Sequence, residues 1–392
     1  MLNIQNVCGI PLAGWLLIVA HPAFCQIDPN HRNLLELGYD QPLVGHGPQG
    51  IYAYYYYNNP EICGTNIALR AALAPAYLDG EIGFKQLISP HTDLGIGIYG
   101  GAFSDNYYEV RQGEYLQDES FDGYGGGTAL SLYQRVNPGM LIPLNIVARG
   151  GVRYTTYDKT DKTAATFVLP DNRVTSFFRG GLRIAGKEPI LYPELGLEVS
   201  GWFERQWRSR HGLYGFAGDR DLSATTDLYW LYAGLNYALT NIGHQISVAA
   251  TVGGSASADR FSAWRLGGVL PLSSEFPLVL PGYYYQELTA KRLLHLYASY
   301  LIPLDQAHRF QFRVEAASAC LDYLSGFGQQ HKWQTGVGGG LTFTPKSRIC
   351  RIVLRYGYGF NALRDGQEGA HSVGLLFQYD FERHHPGDQP DW

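Results

Sequence analysis

The chain has 392 residues, of which 48 are glycine and 29 are tyrosine, with 14% aromatic and only 17% charged residues. Ordinary soluble domains carry more charge and less tyrosine and glycine. The formal net charge of −5 excludes the basic footprint that nucleic-acid binding needs, so no nucleic-acid partner is expected.

The first segment has an apolar run from Ile10 to Ala20, followed by Ala23-Phe24-Cys25 ahead of Gln26. It is shorter than the roughly 20 residues of a spanning helix, and small residues three and one before Gln26 suit a signal peptidase. Residues 1–25 therefore read as a signal peptide. Lipidation of Cys25 is the poorer alternative, because bulky Phe24 precedes it. Without that segment Cys63, Cys320 and Cys350 remain, a set with neither a disulfide framework nor metal-ligand spacing. No metal and no cofactor is expected. No later stretch reaches 18 uncharged apolar residues, which leaves a soluble exported protein or a membrane β-barrel.

Strand patterns decide between the two. "NLLELGYD" (Asn33 to Asp40) is a candidate first strand and "GIYAYYYYNN" (Gly50 to Asn59) a second, and fourteen more follow from Asn66. Single-chain bacterial barrels have even strand numbers, so sixteen strands are predicted, with fourteen and an N-terminal plug as the alternative. In "LYPELGLEVSGWFE" one face reads Leu195, Leu197, Val199 and Phe203, the other Glu194, Glu198, Ser200 and Glu204. In "DLYWLYAGLNYAL" Tyr229, Leu231, Ala233, Leu235 and Tyr237 share a face. Two tyrosines eight residues apart on a tilted strand lie roughly 21 Å apart along the membrane normal, near the roughly 25 Å band between aromatic girdles. Segments of about 10 to 15 residues exceed the usual globular strand of about 5 to 6. The fold class is all-β, a transmembrane antiparallel barrel over residues 26–381, with 382–392 as a periplasmic tail.

Short connections at Ser89-Pro90-His91-Thr92, Asn137-Pro138-Gly139, Gly186 to Pro189, Asn241-Ile242-Gly243, Asp305-Gln306-Ala307 and Thr344-Pro345-Lys346 alternate with longer ones. The long ones are read at 105–120, 159–172, 207–224, 257–288, 323–330 and 361–370. Short turns face the periplasm and long loops the outside in such barrels. Alternation turns Arg149, Arg153, Arg179, Arg183, Glu194, Glu198, Arg313, Glu315, Arg351 and Arg355 into the lumen, a salt-bridged scaffold in preference to a selectivity lining. His295 and Ser299 share the luminal face of "KRLLHLYASYL", but no third orienting residue accompanies them, so catalysis is not expected. His384 and His385 read as solvated tail.

The longest loop precedes the last five strands. It contains Leu266-Gly267-Gly268, then Leu280-Pro281-Gly282-Tyr283, then Glu287-Leu288. This arrangement resembles the bacterial surface antigen barrel of the outer-membrane assembly-factor superfamily, which includes BamA-type insertases, two-partner secretion transporters and patatin-type autotransporters. The resemblance implies a loop folded back into the lumen, whose tip, usually Arg-Gly-Phe or Arg-Gly-Tyr, contacts acidic groups on the inner wall. Pro281 stands where that arginine would be, which leaves the tip-to-wall ion pair open. Glu315 lies near the position of the acidic wall residue, beside Arg313. The final strand fits polar-x-Gly-x-x-aromatic-x-aromatic through Ser372, Gly374, Phe377 and Tyr379, which resembles the β-signal read by the barrel-assembly machinery. Only about 25 residues separate Gln26 from Gly50, so a barrel without periplasmic repeats is expected.

The expected function is protein or lipid insertion or translocation at the outer membrane, with outer-membrane lipids and the assembly machinery as partners and no assigned substrate. A solute channel is the alternative and an outer-membrane enzyme a weaker one. Gly374 removes a packing side chain and the candidate first strand carries Gly38 and then Pro42. The junction of first and last strands is therefore expected either to pair weakly or to close as an ordinary seam.

Overall fold

A strand with one apolar face and one charged face has two surfaces to satisfy. Closing the sheet on itself puts the charged face into a lumen, leaves the apolar face for lipid and removes every unpaired edge. The computed structural model describes residues 30–74, 77–102, 104–187, 195–239, 241–270 and 275–382. In chain order its strands are β1 (Arg32–Pro42), β2 (Gly50–Asn59), β3 (Ile67–Ala74), β4 (Tyr77–Ser89), β5 (Thr92–Gly101), β6 (Tyr107–Arg111), β7 (Glu114–Arg135), β8 (Leu144–Lys159), β9 (Arg173–Lys187) and β10 (Leu195–Arg208). They continue as β11 (Gly212–Tyr214), β12 (Arg220–Leu222), β13 (Thr225–Leu239), β14 (His244–Ala256), β15 (Trp264–Leu266), β16 (Leu288–Pro303), β17 (Phe310–Tyr323), β18 (Trp333–Phe343), β19 (Cys350–Arg364) and β20 (Gln367–Asp380).

Strands β11, β12 and β15 lie in the long connections, and β6 forms a hairpin with the far part of β7. The other sixteen pair antiparallel around the barrel, and β1 closes it by pairing with both β2 and β20. The outward face is apolar as the alternation requires. Along β13, Tyr229, Leu231, Leu235 and Tyr237 are exposed while Trp230 and Tyr232 point inward and are buried. On β17, Phe310, Phe312 and Val314 face out, and Arg313 and Glu315 are buried within. At the short-turn end the outward rings gather into an aromatic girdle: Tyr379 meets Phe381 at 4.7 Å, and Phe381 meets Tyr55 at 6.2 Å.

Two expectations change. The segments 105–120 and 361–370 are not loops: β6 and β7 continue the sheet as a hairpin turned at Gln112-Gly113, and β19 and β20 run on to a two-residue turn at Asp365-Gly366. Polar composition there reflects strands that project beyond the apolar band, where both faces meet water or other loops. Of the two forms expected for the seam, the structure has the ordinary closed one. β1 and β20 are in register from Leu34↔Asp380 to Pro42↔Ser372, extended by hydrogen bonds from Leu43 N to His371 O (2.8 Å) and from Phe381 N to Asn33 O (2.9 Å). The shortest ladder in the wall is instead β2 with β3, which runs only from Tyr55↔Leu73 to Asn59↔Leu69. Gly374 does lack a side chain, but the space is taken by loop residues: a Cβ there would stand 2.6 Å from Val269 Cγ1.

The long-loop end is capped. Tyr107, Phe121, Tyr157, Phe167, Tyr214 and Leu222, drawn from β6, β7, β8, the β8–β9 connection, β11 and β12, form one buried cluster. Beside it Arg220, fully buried, pairs with Glu119 and with Glu109 (3.7 Å), and Glu109 also receives Arg111 (3.2 Å) and Arg260 (3.3 Å). Burial pushes the hydroxyls of Tyr107 and Tyr214 above the usual tyrosine range. Residues 1–25, read as a signal peptide, residues 188–194, which include Glu194, and residues 383–392, with His384 and His385, lie outside the described residues.

Candidate functional site

The connection between β14 and β16, residues 257–287, enters the barrel. Its base narrows where Gly267 N donates to Leu278 O and Leu280 N to Gly268 O, both at 3.1 Å. Gly267 and Gly268 adopt φ of 134° and 89°, so the turn into the lumen uses the left-handed region that glycine tolerates best. The tip, Leu280-Pro281-Gly282-Tyr283, is fully buried at Leu280 and Tyr283. It lies against a strip of wall without side chains. Pro281 and Gly282 pack on Gly336 of β18 and on Gly357 and Gly359 of β19, and a Cβ at Gly357 would stand 2.6 Å from Gly282 N. Backbone touches backbone here, which only glycine walls permit.

Polar anchors hold the loop to five wall strands. Gly282 N donates to Ser372 Oγ on β20 (3.0 Å), and Tyr283 Oη donates to Gln334 Oε1 on β18 (2.8 Å). Val269 N and Leu270 N donate to Asp40 Oδ2 on β1 (2.6 and 3.4 Å). His295 Nε2 on β16 donates to Val279 O (2.8 Å). Glu287 accepts a bidentate pair from Arg364 of β19, 2.9 Å to each oxygen, and accepts Tyr284 N at 2.7 Å. The Arg364 guanidinium covers the Tyr284 ring at 3.4 Å.

The ion pair between loop and wall is therefore inverted. The loop supplies the carboxylate, Glu287, and the wall supplies the arginine, Arg364. Pro281 carries no charge, and Glu315 is engaged within the wall, its Oε2 accepting from Arg355 of β19 and from Tyr297 Oη (2.7 Å). Arg313, beside it, donates to Ser299 Oγ (2.8 Å). Ser299 and His295 thus serve separate contacts, one to the wall and one to the loop. Of the four final-strand positions, Ser372 and Gly374 face inward and seat the loop, whereas Phe377 and Tyr379 share a face with the outward Leu375.

The luminal charges are mostly paired across hairpins. Arg183 Nε meets Glu198 at 3.1 Å, Arg179 Nε meets Glu204 at 2.7 Å, and Arg153 pairs with Asp105. Arg149 stands opposite Arg179 in register and lies over the Tyr99 ring. Farther along the loop, Glu275 reaches Arg183 and Arg179, and Phe276 packs on Trp202 and Trp230.

Sequence reasoning missed Asp40, Arg364, Gln334 and the pair Glu275-Phe276. Arg364 was hidden because its segment read as a loop. The glycine strip was visible as "TGVGGG" and "YGYG", where glycine recurs at inward positions of two adjacent strands. Such recurrence marks close backbone approach rather than weak strands.

No family signature and no curated protein matches the chain. Among solved structures, CdiB from Acinetobacter baumannii superimposes with a TM-score of 0.56 at 12% identity, over 89% of this chain and 60% of that one. CdiB from Escherichia coli gives 0.56 at 14% identity, over 90% and 63%. BamA from Haemophilus ducreyi lacking POTRA domains 1-3 gives 0.54 at 10% identity, over 88% and 70%. The chain spans about 60% of the length of the two CdiB structures. What is shared is the fold, an outer-membrane type of closed barrel.

Proposed function

We propose that this barrel resides in the bacterial outer membrane and acts in inserting or translocating protein or lipid, with the inserted loop as a resident plug that bridges the closing seam. One observation carries the reading: a single loop is bonded to both seam strands, through Asp40 of β1 and Ser372 of β20. A loop that merely narrowed a pore would need no contact with the junction where the barrel closes. Bonding both strands ties the position of the loop to the state of the seam. Movement of the loop would free the Asp40 carboxylate and the Gly374 notch together. Outer-membrane lipids contact the apolar belt in this reading, and Phe377 and Tyr379 remain the candidate contacts for the assembly machinery during biogenesis.

The loop lies inside the lumen against the wall and the long-loop end is capped, so the intact protein in planar bilayers is expected to give small, unstable conductance. Deleting residues 269–281 should enlarge it several-fold. A large, steady pore in the intact protein would support the second reading, a solute channel, which the arginine-rich wall of β8 and β9 favours.

A further inference from the structure

Glu275 and Phe276 sit on a stretch of wall shaped for a carboxylate beside an aromatic ring. Arg183 donates to one oxygen of Glu275, and Arg179 Nη1 stands 3.8 Å from the other. The Phe276 ring lies 5.9 Å from Trp202, 5.8 Å from Trp230 and 5.2 Å from Tyr232. The two tryptophans stack on each other at 6.0 Å. Each also faces an arginine, Arg183 over Trp202 at 4.9 Å and Arg179 over Trp230 at 5.3 Å.

This wall stands without its occupant. Both arginines have a second carboxylate from the barrel itself, Glu204 for Arg179 and Glu198 for Arg183. Glu198 and Glu204 are buried, so the guanidinium groups are held in place and neutralised whether or not Glu275 is present. Glu275 is itself 45% exposed, and an ion pair so exposed is broken at little cost. The contrast is with Glu287 and Arg364, at 0% and 2%, a pair that neither side can leave without stranding a buried charge. One contact anchors the loop, and the other is free to exchange.

We propose that Arg179, Arg183, Trp202, Trp230 and Tyr232 form an exchangeable receptor, open to the lumen, for an extended peptide segment that carries a carboxylate next to an aromatic ring. Glu275-Phe276 is its resident competitor. The inference rests on the translocation reading for its purpose, though binding is measured separately. A peptide fits better than a lipid because the distance from carboxylate to ring is set by adjacent residues of one chain. Interplanar angles of 60° and 68° to the tryptophans also select a flat ring over an acyl chain.

The probe is a fluorescein-labelled peptide Glu-Phe-Pro-Leu-Val-Leu, the sequence of residues 275–280, titrated by anisotropy against the full-length protein in phosphatidylcholine nanodiscs. The variant Glu275→Gln/Phe276→Ala, whose site is vacant, should bind it about tenfold more tightly than the wild type, because the tethered competitor is gone. Adding Arg183→Gln or Trp202→Ala should remove the gain. Two further peptides, one with Gln for Glu and one with Ala for Phe, should bind about tenfold more weakly and require no altered barrel. Equal affinity for wild-type and vacated protein, or indifference to both peptide changes, overturns the proposal. Loss of peptide binding when phosphatidylglycerol replaces phosphatidylcholine overturns it in favour of a lipid headgroup. Conductance of the loop-deleted barrel reports on the proposed function independently, so either reading can fail alone.

Discussion

Arg364 and Glu287 show how much one pair can hold. Each is almost fully buried, and each has two parallel hydrogen bonds to the other. Removing one partner leaves an uncompensated charge in a dry site, which costs about 3–5 kcal/mol. Arg364→Gln is expected to lower stability by that amount and to expose the loop to protease. The contrasting variant is Arg205→Gln, whose bidentate partner Asp227 lies at the surface. It should leave stability nearly unchanged, because an ion pair at the surface is screened by water. Urea unfolding of both variants in lipid vesicles, with loop cleavage followed in parallel, checks the difference. Similar losses from the two would deny Arg364 its anchoring role. Glycine works by the opposite means: at Gly336, Gly357 and Gly359 what matters is the absent side chain, which lets Pro281 and Gly282 lie on the wall.

At the level of elements, the seam decides how the barrel behaves. β1 and β20 are fully laddered, and the inserted loop lies across them from within. Leu37 and Phe377 stand directly opposite in register. Opposed residues of antiparallel strands have Cα atoms about 4.5–5.5 Å apart, inside the range a disulfide accepts. Leu37→Cys with Phe377→Cys should therefore crosslink on oxidation, whereas Leu37→Cys with Tyr379→Cys, displaced by two residues, should do so poorly. Non-reducing electrophoresis reads the yield. If the locked barrel restores every outer-membrane phenotype that its loss causes, lateral opening at this seam is not how the protein works. The short ladder between β2 and β3 is then the next place to test.

As a whole molecule the barrel is held by its closed hydrogen-bond cycle, with every wall strand paired on both sides. Detergent competes for the outer apolar belt but not for backbone pairs inside a closed sheet. Unboiled protein in detergent gels should accordingly migrate faster than boiled protein, and cell fractionation should recover it with outer membranes. Recovery in the soluble periplasmic fraction would end the membrane reading. The cap adds a second layer of closure. Arg220 and its carboxylate partners join loops far apart in sequence, so the long-loop end behaves as one unit with the wall rather than as separate flexible arms.

The alternating segments and their number were legible in the sequence, down to "NLLELGYD" as the first strand, whereas 105–120 and 361–370 were read as loops because polar strand beyond the apolar band looks like a connection. A period of two fixes which face of a strand a residue occupies, and closure in lipid allows few strand counts. The inward positions of Arg179, Arg183, Glu198, Arg313, Glu315 and Arg355 followed from that same period. Which of them pair did not, because Glu315 could have met a loop residue or Arg355 with equal claim from alternation alone. Tertiary structure also decided what the loop touches. Asp40 and Ser372 lie more than 300 residues apart, and only barrel closure brings both to Val269 and Gly282. Gly374 could be read from sequence as a missing side chain. That the vacancy is filled by Val269 and Leu270 depends on the path of a loop about 100 residues earlier, and periodicity carries no information about that path.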